Sequence, residues 1–140
     1  MLESLNSNYV AQILGYFDIE FDDRELEEDR KFKVLMLQKL VIARPLSRIN
    51  PSSVSTTKRT AIRNSVIDIV KSMYEQDIYF PSIYLHHFLV MREDHSIRVC
   101  GLGVTYNPLE RCLSREERDT LKKRAILGAT YTLDDSGWSC

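Results

Sequence analysis

The chain has 140 residues, 19 Lys and Arg against 20 Asp and Glu, and a formal net charge of −1, which leaves no basic excess for nucleic acid or an anionic membrane. With 44% apolar and 28% charged residues its composition is that of an ordinary soluble protein. No apolar run reaches the roughly 18 residues of a membrane helix, and the opening MLESLNSNYV lacks the basic-then-apolar order of a secretion signal.

Cys100, Cys112 and Cys140 are far apart and match neither a disulfide framework nor a zinc spacing. The expectation is one cytoplasmic domain spanning residues 1–140, with reduced thiols.

In chain order, SNYVAQILGYF alternates and is rich in aliphatic and aromatic residues, which predicts a strand from Val10 to Phe17. The charged run DIEFDDRELEEDRK reads as a solvated turn. Its acids Asp22, Asp23, Glu25, Glu27, Glu28 and Asp29 lack the spacing and glycine of a calcium loop. A buried strand from Phe32 to Gln38 follows, and Pro45 ends regular structure shortly after.

NPSSVSTTKRT reads as a loop that leads into a long helix. Ile62, Val66, Ile69, Val70 and Met73 share one face of it, and Thr60 or a nearby Thr is the expected cap. Phe88–Met91 and Ile97–Cys100 predict a hairpin, with polar residues from Glu93 to Ser96 as its turn. Gly101 and Gly103 break the second strand. Ser114 and Glu117 form a capping box for a last helix, which is expected to stop at Gly128 with Lys122, Lys123 and Arg124 near its end. The tail DDSGWSC is expected to be loose.

The residues that invite a site are few. His86 and His87 are adjacent, and a strand would point them to opposite faces, so one buried, hydrogen-bonded imidazole and one exposed imidazole are expected rather than a metal site. Ser82 lacks the G-x-S-x-G frame of a nucleophile. Glu93, Asp94 and His95 read as a polar turn.

The order of elements resembles the middle of the protein-kinase fold. LNSNYVAQILGYFDIE looks like that family's strand entry, and KVLMLQKL like the strand that enters the hinge. The resemblance implies Leu37 as gatekeeper and Gln38, Lys39 and Leu40 as an adenine-binding hinge. FPSIYLHHFLV aligns without gaps on the catalytic loop H-R-D-L-K-x-x-N-I-L-V. Phe80 and Pro81 then stand for the family's His and Arg, and Ser82 for the Asp that accepts the substrate proton. Tyr84 stands for the phosphate-binding Lys and His87 for the magnesium-binding Asn. Some bacterial sugar-lipid kinases carry an H-F-L-L version of this loop, similar to His87–Val90. CGLG falls on I-D-F-G, so Gly101 stands for the magnesium Asp and Gly103 for the retained glycine.

The resemblance covers about residues 5–104, with 105–140 divergent. It has no counterpart for the family's glycine-rich loop, its strand lysine or its glutamate helix. The expected fold is α+β: a partial kinase-like fold with short antiparallel strand pairs around one long helix, plus a C-terminal helix. Phosphoryl transfer depends on positioning and charge neutralisation, and Mg²⁺ wants hard oxygen ligands, which Ser82, Tyr84, His87 and Gly101 do not supply. The expectation is therefore a catalytically inactive pseudokinase remnant without cofactor or metal, acting through exposed apolar faces on another protein. The alternatives are a divergent kinase that uses ATP and magnesium, or a gene fragment without selected function.

Overall fold

The computed structural model describes residues 13–23, 28–37, 43–80, 82–101 and 112–139; for the first two ranges the description is of the backbone. The architecture is α+β. Strands β1 (Ile13–Asp23) and β2 (Glu28–Leu37) form an antiparallel pair. Its register sets Asp18 opposite Lys33 and Glu20 opposite Lys31, with a shift between Ile13 and Gly15. The charged run expected to be a turn is thus largely strand. A charge run is a weak guide against a strand, because the ladder is made by backbone hydrogen bonds; the same register sets Asp22 opposite Asp29 and Asp23 opposite Glu28. The expected strands Val10–Phe17 and Phe32–Gln38 are both longer toward the hairpin tip than the sequence suggested.

A second sheet has the order β3–β4–β5, antiparallel throughout, built from Ala43–Pro45, Phe88–Met91 and Ile97–Val99. Strand β3 was not expected. It ends at Pro45, opposite Leu89, where a missing N–H is tolerated on an edge strand. Phe88 and Val90 alternate with half-buried neighbours, and with Ile97 and Val99 they form the buried face.

Between β3 and α1 (Thr56–Glu75) lie two short 3₁₀ turns, Leu46–Arg48 and Pro51–Ser53. The Asn50 side chain accepts from the Ser52 N–H at 3.0 Å and so starts the second turn. Helix α1 begins four residues earlier than Thr60. Its cap is Ser55, whose Oγ accepts from the Lys58 N–H at 3.4 Å. The five predicted core positions Ile62, Val66, Ile69, Val70 and Met73 are all buried, as the 3.6-residue period requires.

Helix α2 (Arg115–Asp135) opens on the predicted Ser114–Glu117 capping box, with both reciprocal bonds present. It does not stop at Gly128. It runs about two turns further, to Asp135, so Lys122, Lys123 and Arg124 lie mid-helix rather than at the dipole end. The stop is Gly137, at φ 81°, in a Schellman motif: Gly137 N–H donates to Asp134 O and Trp138 N–H to Leu133 O at 2.8 Å. Trp138 is 1% exposed and packs with Leu133 in the core. The tail expected to be loose therefore ends in an anchored indole, because the sequence around it gave no periodicity to signal burial.

Helices α1 and α2 run antiparallel. Arg63, early in α1, pairs with Asp134 at the end of α2, and Glu75 at the end of α1 pairs with Lys122 at 3.0 Å. No helix among the described residues is long and apolar enough to cross a membrane.

Candidate functional site

The segment after α1 carries the residues singled out by the sequence. The helix ends in a second Schellman motif, with Asp77 at φ 55° where glycine is usual. Asp77 N–H donates to Tyr74 O and Ile78 N–H to Met73 O at 2.8 Å. That turn sends Ile78, Tyr79 and Phe80 straight into the core, at 0%, 2% and 4% exposure. The Tyr74 hydroxyl donates to Phe80 O at 3.2 Å and fixes the start of the loop.

His86 and His87 do not lie in a strand. They close a 3₁₀ turn, Leu85–His87, immediately before β4. Consecutive side chains on such a turn are about 120° apart rather than opposed, and the two imidazoles meet edge to face with centroids 4.5 Å apart. His86 is exposed and His87 is buried, as expected, but for a different reason.

His87 is tied on several sides. Its N–H donates to Tyr84 O at 3.0 Å, and its Nδ1 accepts from the Tyr84 N–H at 3.3 Å. A ring nitrogen that accepts leaves the proton of the neutral imidazole on Nε2. The ring lies parallel to Phe80, with centroids 4.7 Å apart. Burial, and then the neighbouring His86 charge, hold the His87 pKa below the ordinary histidine value of 6.5. Cys100 N–H donates to His87 O at 2.7 Å, which draws the end of β5 onto the turn. Gly101 follows at φ 73°, so close that a Cβ there would lie 3.0 Å from His87 Cδ2.

The structure thus brings Phe80, Tyr84, His87 and Gly101 together. Ser82 is exposed and lines, with Phe80 and Tyr84, a cleft of about 410 Å³ between the loop and α2, beside Leu121 and Arg124. Leu37 ends β2, opposite Ile13. The hinge-like Gln38, Lys39 and Leu40, together with Pro81 and Gly103, lie outside the described residues.

Magnesium does not suit this group. Gly101 has no side-chain ligand atom. The Nδ1 lone pair of His87 is taken by Tyr84, and Nε2 carries the proton. Among the described residues no set of three or more His, Cys, Asp and Glu is placed to hold a metal ion. Cys100, with its Sγ 3.5 Å from His86 O, has its thiol pKa raised by burial and is not an activated nucleophile.

One cluster was not singled out by the sequence. Arg44, Lys58, Arg92 and His95 line a single basin at the start of α1. They come from β3, α1 and the β4–β5 turn, so no local motif joins them. No protein-family profile matches the sequence, and no curated protein matches it.

Proposed function

We propose that the chain is a protein-kinase-like protein that does not transfer phosphate and acts by binding another protein. The reading rests on one observation: the Phe80 ring stacks on the His87 ring, and Gly101 abuts that imidazole. By the resemblance, these positions would carry a catalytic-loop His, a magnesium Asn and a magnesium Asp. Here they carry a hydrocarbon ring, a neutral imidazole already in hydrogen bonds, and no side chain. An electrostatic site is worth several kcal/mol of transition-state stabilisation only if its charges are present. Among the described residues no His, Asp or Glu lines the cleft at Ser82, which would replace the proton acceptor, and a serine cannot act as a base at neutral pH without a partner.

The test is a thermal-shift titration of the full chain with ATP, with and without Mg²⁺. A ligand at a hundredfold excess over its Kd raises native-state stability by about 2.7 kcal/mol. The expected result is no magnesium-dependent rise in Tm. A rise that needs both ATP and Mg²⁺, and that His87→Ala removes, would overturn the reading in favour of a divergent kinase.

A further inference from the structure

The basin at the start of α1 has an apolar floor, supplied by Ile49, Val54, Ile62 and Val90. Its rim carries the cations Arg44, Lys58 and Arg92, together with His95, all exposed. Among the described residues no acidic side chain lines it, and none of the four rim side chains has an ion pair or hydrogen bond. Asp94 Oδ1 accepts from the Ser96 N–H at 2.9 Å, and neither it nor Glu93 lines the basin. Among the described residues Arg63, Lys71, Arg118 and Lys122 are paired with acids, whereas the basin gathers three unpaired cations, Arg44, Lys58 and Arg92, around one apolar floor. The first turn of α1 contains no acidic residue, so the positive end of its dipole adds to the same field.

Size and shape select the occupant. The volume is about 290 Å³, at the bottom of the range that encloses small molecules. It is open to solvent, so a small ligand would keep much of its surface in water. A peptide meets the geometry better, because one apolar side chain fills the floor while flanking carboxylates reach the rim.

We propose that this basin is a docking site for an acidic peptide segment of a partner protein, anchored by one large aliphatic or aromatic residue. The proposal rests on the reading of the chain as a binding protein for the kind of partner, and on the basin alone for the place. The floor contributes affinity through apolar burial, and the rim contributes selection and association rate through complementary charge.

The probe is a fluorescein-labelled peptide, Gly-Asp-Glu-Leu-Glu-Asp-Gly, followed by fluorescence anisotropy on the full chain. Binding is expected to weaken as salt rises from about 20 to about 300 mM, because exposed charges are screened beyond a Debye length. Replacing the leucine of the probe with glycine, and separately the double change Lys58→Glu with Arg92→Glu, are each expected to weaken it roughly tenfold. Lys123→Glu, on the exposed side of α2, is the control and leaves binding unchanged. Lys58→Gln with Arg92→Gln repeats the test without charge reversal, and the Tm of each variant checks folding.

The proposal is overturned if the rim variants bind as the control does, or if the leucine-free probe binds equally well. It is also overturned if the chain grows in size with concentration and the rim variants abolish that growth, since a second copy would then hold the basin. Failure here with no ATP shift would remove the docking site and leave the inert phosphotransfer site standing. An ATP and magnesium response would remove the latter whatever the peptide does.

Discussion

The two ends of α1 treat polar chemistry in opposite ways. At its C-terminal end the chain turns through Asp77, satisfies the last carbonyls, and fills the space beyond with Phe80 and His87. Polar atoms there are bonded internally and pKa values favour neutrality. At the N-terminal end, Lys58, Arg44 of β3, and Arg92 and His95 of the β4–β5 turn surround an apolar floor and find no partner among the described residues. Helix and sheet are shared, so the fold does not dictate the difference. Side chains do: rings that stack close a site, whereas like charges that cannot pair leave one open to an outside ligand.

The closed end is broken most severely by Phe80→Ala. Removing a buried aromatic costs about 3–5 kcal/mol, and the change also strips one face of His87. Chemical denaturation measures it, and a loss below about 1 kcal/mol would show that the stack is not part of the core. Gly101→Asp restores the carboxylate that the resemblance implies. The left-handed φ of 73° and the 3.0 Å approach to His87 Cδ2 make it destabilising, by about 1–3 kcal/mol. A magnesium-dependent recovery of its Tm would show that the closed end can still hold a metal.

His87 sharpens the comparison by its pH dependence. Its pKa is depressed in the folded chain, so below 6.5 the unfolded chain binds the proton more readily. Its contribution to stability is then complete above about pH 6.5 and falls as pH drops through that value, until the folded-state pKa is passed. Denaturation midpoints at about pH 7.5 and about pH 5.5 are expected to differ in wild type and to converge in His87→Gln, apart from the slope other groups contribute. The absence of any His87-dependent difference would place the imidazole in water, and a stability gain on acidification would mean that its pKa is raised rather than lowered. The open end gives the smallest effect. The Lys58 and Arg92 side chains have no partner among the described residues, so Lys58→Gln and Arg92→Gln should each change stability by less than about 0.5 kcal/mol.

What the sequence disclosed was local and periodic. The stripe from Ile62 to Met73, the hairpin of β4 and β5, and the Ser114–Glu117 box each depend on residues within a few positions of one another. What escaped depended on partners distant in sequence. Strand β3 is three residues long and exists because β4 lies beside it. The charged β1–β2 pair is set by register across the hairpin. Trp138 is buried by helices that end before it.

The site divides the same way. That one histidine would be buried and the other exposed was legible, though the 3₁₀ turn that arranges it was not. The meeting of Phe80, His87 and Gly101 follows from a ladder bond between Cys100 and His87. The basic basin draws on three separated segments, and no spacing rule could have gathered them.

The chain's single tryptophan is the residue that the turn at Gly137 buries beneath α2. An indole so enclosed emits toward the blue and is shielded from aqueous quenchers, and it shifts red once water reaches it. Intrinsic fluorescence therefore provides a native optical gauge of whether α2 remains seated on α1, and it needs no label on either helix.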